Sequence, residues 1–369
     1  VSVADANTIA GKTSGVVTAT IAEGDLTTLA GLNETGNAYT VTVTDTSATA
    51  SELTSIDAAT TVAVQAGNVT SLSGTATEVK AAYAADAATT IVLDGDEAVS
   101  VSGSVSVADA NIIAGKTSGV VTATIAEGDL TTLAGLNETG NAYTVTVTDT
   151  SATAAALTTL DGKTTVAVTA SAVTSLSGTA TEVKAAYTAD ASGTIVLDGD
   201  EAVSVSGSVS VADANIISGK TSGAVTATIA TGSFTDLNAL NETNNVFALN
   251  LNETISVANA NTLNDKTTGV ITATITSGNY AAVNALNGTG NAYTVTVNDQ
   301  ITVAEADVLA AKTTGVVTAT LSTGDMATLA GLNETGNAYT ITVTDTSATA
   351  AALTALDAKT TVAVAAGNV

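Results

Sequence analysis

Hydrophobic and polar residues alternate strictly along short stretches of this chain and then change period. In Tyr39-Thr40-Val41-Thr42-Val43-Thr44, the tyrosine and valines fall on one side and the threonines on the other. That is the period of a half-buried strand, and both β-branched types suit a pleated surface. Val17-Thr18-Ala19-Thr20-Ile21 reads the same way, and Val1-Ser2-Val3 is a shorter strand-like opening. Between these stretches the apolar residues recur at three- and four-residue steps, as in Leu26, Leu29, Ala30 and Leu32, or Val79, Ala82 and Tyr83. Such steps predict short amphipathic helices of two to three turns, over Ala4 to Thr13, Glu23 to Leu32 and from Thr75 onward.

Helix punctuation supports these boundaries. Asp5 is positioned to cap the first helix, with Asp109 and Asp213 in its copies, and Thr49 with Glu52 and Thr75 with Glu78 fit the capping box. Gly15 and Gly36 stand where a left-handed terminal residue is wanted. Lys12 falls in a last turn, where a cation meets the negative helix end.

The pattern is copied. Residues 105–150 repeat residues 1–46 with one change, Ile112 in place of Thr8, and a third copy opens at Val209. From there Val209, Ile255 and Ile301 begin units of 46, with Lys220, Lys266 and Lys312 at matching places. The chain therefore divides into repeats 1–104, 105–208, 209–254, 255–300, 301–346 and a partial unit 347–369, all read as one continuous array over 1–369. Each 104-residue unit is a 46 followed by a 58-residue insert. The insert carries strand-like Thr61–Val64, Val69–Leu72, Thr90–Leu93 and Val99–Gly103, so its coils are expected to hold an extra short strand.

Fifteen helices are expected, none long enough to be stable alone in water. Strand–helix–strand connections of this length demand parallel strands and right-handed crossovers. The expected fold is an α/β solenoid, with parallel strands along one side, short helices on the other and leucine-rich-repeat-like coils. Fifteen strand spacings would give a body roughly 70 Å long. An all-β solenoid is the alternative, disfavoured by the Leu and Ala periodicity.

Composition narrows the function. The chain has no His, Cys, Pro, Trp or Arg, and nine Lys against 35 acidic residues give a net charge of −26. Nucleic acid is an unsuitable partner, because phosphate binding needs clustered cations. Lack of Cys excludes disulfides and thiol-based metal sites. No stretch has the ~18 apolar residues that span a membrane. The chain opens without an initiator Met, and neither end reads as a polar cap, so it is expected either to continue in sequence or to self-associate end to end into a filament.

Candidate chemistry is sparse. Asp94, Asp96 and Glu97, with Asp198, Asp200 and Glu201, are spaced around a glycine as weak Ca²⁺ ligands, or form acidic turns. No other cofactor is implied. Asp45 and Asp149 would repel if stacked in a column, and would then recruit loose counter-ions. Asn33, Asn137, Asn241, Asn252, Asn287 and Asn333 open glycan-acceptor triplets, as does Asn68. Thr18, Thr20, Thr40 and Thr42 could line a flat hydroxyl face for glycan, ice or mineral. Tyr39, Tyr143, Tyr293 and Tyr339, with Phe247, share one repeat position, as a core ladder or a sugar-stacking stripe. Catalysis is not expected. The usual bases and thiols are missing, and the carboxylates recur with the repeat, whereas a catalytic site would break its symmetry.

The stretch Val41-Thr42-Val43-Thr44-Asp45-Thr46-Ser47-Ala48-Thr49-Ala50 recurs from Val145 and, with Ile341 in place of Val41, around Thr342. With the Ala/Leu helices it resembles the repetitive regions of giant secreted adhesin-like or cell-surface proteins of marine bacteria and cyanobacteria. The resemblance implies an extracellular or cell-surface location and a structural or adhesive role. The calcium-binding nonapeptide Gly-Gly-x-Gly-x-Asp that often accompanies such chains is absent.

Overall fold

The structure, a computed structural model, describes every residue except Glu242. It is α/β, with fifteen helices among the described residues and parallel strand pairing within each part. The chain separates into two compact units, Val1–Thr174 with Ala185–Asp198, and Ser175–Lys184 with Gly199–Val369.

In the first unit the strands Ser47–Thr49, Ser71–Thr75, Ala98–Val105, Val121–Ile125 and Ala142–Thr144 lie side by side in chain order, each parallel to the next. Thr18–Thr20 pairs with Ala38–Thr40 in the same sense. The insert does contain extra short strands: Val64–Gln65 pairs with Ile91–Val92, and Val168–Thr169 with Ile195–Val196. In the second unit the strands run from Ser175–Thr179 and Ala202–Val209 through Val225–Ile229, Val246–Ile255, Ile271–Ile275, Ala292–Ile301 and Val317–Leu321 to Ala338–Thr340, again parallel and in chain order. The long strands shift register through two extra residues, for example between Asn250 and Thr254 opposite Thr272 and Thr274.

The alternation lands as the pattern requires. Tyr39, Val41 and Val43 are fully buried, while Thr40, Thr42 and Thr44 are exposed. Fifteen helices exclude the all-β alternative. Their extents and caps differ from expectation in three ways. The Glu23 to Leu32 helix is a single turn, Leu26–Leu29, capped by Asp25. Its counterparts Leu130–Leu133, Phe234–Leu237, Tyr280–Val283 and Met326–Leu329 are equally short. Threonines cost side-chain freedom inside the turn, and Gly31 closes it with a bond to the Thr28 carbonyl. What holds each turn is its last apolar side chain. Leu29, Leu133, Leu237, Val283 and Leu329 are wholly buried, a contribution of about 1.5–3 kcal/mol each.

Second, the first helix begins at Val3, and Ser2, not Asp5, is its N-cap, accepting from the Asp5 N–H at 3.0 Å. Ser106 and Ser210 do the same for Asp109 and Asp213. A hydroxyl and a carboxylate three residues apart both suit the cap, and the one at the extended backbone position takes it. The two boxes at Thr49/Glu52 and Thr75/Glu78 form as expected. Third, Gly36 is left-handed (φ +79°), whereas Gly15 is not.

Candidate functional site

The polar residues that recur with the repeat converge on the junctions between successive strand–helix segments, each termed a coil. Asn37 is buried, and its Oδ1 accepts the Val17 N–H of the preceding strand at 2.9 Å. Asn141, Asn245, Asn291 and Asn337 repeat this with Val121, Val225, Ile271 and Val317 at 2.7–2.8 Å. One coil further on, Thr60 Oγ1 accepts from the Tyr39 N–H and donates to the Tyr39 carbonyl. Thr164, Thr267, Thr313 and Thr360 make the same pair of hydrogen bonds to Tyr143, Phe247, Tyr293 and Tyr339. The aromatic rings between these brackets are fully buried, which settles them as a core ladder and removes the sugar-stacking stripe.

Carboxylates complete the helices of the coil before them. Asp45 Oδ2 accepts the Leu26 N–H at 2.7 Å, as Asp149 does for Leu130 and Asp345 for Met326. Glu253 and Asp299 serve Phe234 and Tyr280. Glu23 and Glu127 likewise accept from the first helical N–H groups, at Val3 and Val107. The expected repulsive column at Asp45 and Asp149 is therefore corrected: each anion faces a helix N-terminus, where the unpaired N–H groups and the dipole favour it. Sequence spacing misses these links because the partners lie 19 or 20 residues apart. The signal that could have found the 19-residue links is the recurrence of an acid at that offset in every 46-residue unit. Asp25, Asp129 and Asp325, the local caps, are held below the ordinary carboxylate value by hydrogen bonds, chiefly from Thr28, Thr132 and Thr323 respectively.

Lysines act on the opposite helix ends. Lys266 and Lys312 donate to the Leu240 and Leu286 carbonyls at 2.9 Å, and Lys163 and Lys359 to Asn137 and Asn333. Lys80 pairs with Asp109, and Lys184 with Asp213. The first four lysines meet carbonyls of the preceding coil rather than of their own helix, whereas Lys80 and Lys184 meet carboxylates of a later one.

At the acidic turns, Asp94 and Asp96 are exposed but Glu97 points inward and is fully buried. Its carboxylate accepts from the Tyr83 hydroxyl at 3.2 Å and the Gly95 N–H at 3.0 Å, and its carbonyl from Thr117 Oγ1 at 2.6 Å. Burial raises the Tyr83 phenol well above its ordinary value, with the Glu97 charge adding to it. Glu201 repeats the buried position, with Asp198 and Asp200 exposed. Among the described residues no three carboxylates come together in a group able to hold a metal. Glu97 stands where other coils carry the core aromatic: a Cβ on Gly119 would meet the Glu97 carbonyl, as one on Gly269 or Gly315 would meet Phe247 or Tyr293. In this coil Tyr83, from the Ala76–Ala87 helix, is the buried aromatic, and its hydroxyl caps the displaced glutamate.

The glycan-acceptor asparagines Asn33, Asn137, Asn241, Asn252, Asn287 and Asn333 are all exposed. The Asn241 triplet includes Glu242, which lies outside the described residues. Asn252 lies within a strand; the loops of the others are fixed from behind, where Asn7, Asn111, Asn215 and Asn261 each bond the carbonyl two residues before the acceptor and the acceptor's own N–H. At Asn333 the partner is Asp307, which also takes the acceptor amide Nδ2 at 2.8 Å. Asn68 donates its amide to the Val43 carbonyl.

Thr18, Thr20, Thr40 and Thr42 are exposed. Thr20 lies opposite Thr40, and Thr254, Thr274 and Thr294 are in register across three strands. Neighbouring rows change residue, as in Thr18 opposite Ala38 and Thr272 opposite Ala292. Among the described strands the only charged side chains are Glu253 and Asp299, both in register shifts and both bonded to helix N–H groups.

Two apolar grooves recur at one repeat position. One of about 330 Å³ lies beside Met326, Ala330, Leu356 and Lys359, and one of about 190 Å³ beside Leu130, Ala134, Leu160 and Lys163. Neither gathers an acid–base pair. No helix is long and apolar enough to cross a membrane among the described residues. No protein family, curated protein or solved structure matches this chain.

Proposed function

We propose that this is a structural repeat protein, an α/β solenoid of leucine-rich-repeat-like coils that builds an extracellular or cell-surface fibre. One observation carries the reading. The N-terminus of each single-turn helix is completed by a carboxylate of the following coil, and each core aromatic within a 46-residue pattern by a threonine of the following coil. A coil built this way is finished only by its neighbour, the defining property of a one-dimensional array. The recurrent polar residues of the described chain are engaged in those junctions, which supports a structural role. The resemblance of the threonine-rich stretches to secreted adhesin-like repeats is what suggests the location. Electron microscopy of purified protein tests the fibre: elongated assemblies that lengthen with concentration support it, and separate short particles at every concentration reject it.

A second reading, a binding module for a neutral surface such as an uncharged glycan, ice or mineral, is favoured by the strand composition. A chain of net charge −26 keeps Lys and all but two carboxylates off its described strands. Co-sedimentation with uncharged polysaccharide or partition into ice, compared between the wild type and a Thr18/Thr20/Thr40/Thr42 alanine variant, tests it. Equal retention of both proteins rejects it.

A further inference from the structure

The five loops after the single-turn helices carry the same asparagine, and in four of them the next residue is Glu: Glu34, Glu138, Glu242 and Glu334. The exception is Asn287-Gly288. Glycine is required there. Gly288 has φ +74°, and Asn264 Oδ1 lies 2.4 Å from the place a Cβ would occupy. Asn264 itself stands where the other units have Ala10, Ala114, Ser218 and Ala310. The larger side chain and the glycine thus form a complementary pair, held by Asn291 Nδ2 donating to Asn264 Oδ1 at 3.0 Å.

The consequence is chemical. Asn287 is exposed, and among the described residues neither its side-chain amide nor the Gly288 N–H has a hydrogen-bond partner. No side chain on Gly288 obstructs that nitrogen, and no adjacent carboxylate opposes its deprotonation.

We propose that Asn287-Gly288 is a site of spontaneous succinimide formation and deamidation. Solvent hydroxide removes the Gly288 amide proton, and the nitrogen attacks Cγ of Asn287. The N–Cγ bond forms, the Cγ–Nδ2 bond breaks, and Nδ2 leaves as ammonia after taking a proton from water. A second water opens the ring at either carbonyl, giving Asp or isoaspartate at 287. The net change is amide plus water to carboxylic acid plus ammonia. The isoaspartyl product adds a methylene to the main chain beside the Asn287 N–H, which donates to Asn261 Oδ1 at 2.7 Å. That junction between coils is the one the reaction loosens.

Incubation of the folded chain across neutral to mildly alkaline pH, followed by peptide mass mapping, tests the proposal. The expected result is the amide-to-acid mass gain and one added negative charge at Asn287, faster at higher pH, with Asn33, Asn137 and Asn333 lagging behind. An isoaspartyl-specific methyltransferase reads the isomerised fraction, and Asn287→Gln, which cannot close the five-membered ring readily, abolishes the signal while leaving circular dichroism unchanged. An unmodified Asn287 in the folded chain, with the same peptide reacting in denaturant, overturns the proposal. So does modification of Asn33 and Asn137 at the rate of Asn287.

Discussion

Replacing Asn141 with alanine removes one acceptor from the interior and nothing else of consequence. Asn141 is 6% exposed, and its Oδ1 takes the Val121 N–H at 2.8 Å. Val121 is itself wholly buried, so water cannot substitute. An unsatisfied buried N–H costs about 1–3 kcal/mol, more than the ~1 kcal/mol net value of an average hydrogen bond. The Asn141 carbonyl keeps its partners, the Thr165 N–H and Oγ1, so the loss is confined to one junction. At 1.4 kcal/mol per tenfold, amide exchange at Val121 should accelerate by roughly 5- to 150-fold. Hydrogen exchange read by mass spectrometry or NMR measures this directly. It is a better assay than a single melting temperature, because arrays need not unfold in one step. Thr122→Ala, on the exposed side of the same strand, is the control and should stay within about 0.5 kcal/mol. Unchanged protection at Val121 would refute the assignment of Asn141 as an internal acceptor.

Other perturbations have signed outcomes. Burial pushes the Tyr143 phenol up to about 12, so its contribution is intact below the unfolded value near 10 and is lost as pH rises from there through 12; Tyr143→Phe should flatten alkaline denaturation over that window. The same change should be neutral or stabilising at pH 7, since the buried hydroxyl has no partner and Phe247 already fills the equivalent place. Asp129 has a lowered carboxyl value, so its stabilising contribution is present above 3.8 and fades as pH falls below it; Asp129→Asn should weaken the acid dependence in urea melts run from pH 6 to pH 2. Gly119→Ala sets a Cβ 2.3 Å from the Glu97 carbonyl and should cost about 1–3 kcal/mol by denaturant titration, whereas Gly15→Ala, with its nearest neighbour at 3.4 Å, should be close to neutral.

Much of the local structure was legible because it depends on neighbours in sequence. The alternation at Tyr39–Thr44 named the buried side, the three- and four-residue steps named fifteen helices, and the Thr49/Glu52 box closed as read. What sequence hid depends on neighbours in space. Asp45 looks like a free anion until the coil before it brings the Leu26 N–H to 2.7 Å. Glu97 looks like part of an exposed acidic turn, and only the approach of Gly119 and Thr117 shows that it stands at a core aromatic's position. The helix expected from Glu23 is shorter because Glu23 stands ahead of the Asp25 cap, with its carboxylate bonded to the Val3 N–H.

The uniform bonding at the junctions bears on how such a gene changes length. Thr267 of one unit brackets Phe247 of the unit before it as Thr313 brackets Tyr293, so the surface left by excising or duplicating a whole 46-residue unit matches the one it replaces. Gain or loss of a whole unit therefore keeps these seams, while a deletion out of phase strands a carboxylate from its helix. Tandem gain and loss in register is the mutational path this architecture tolerates.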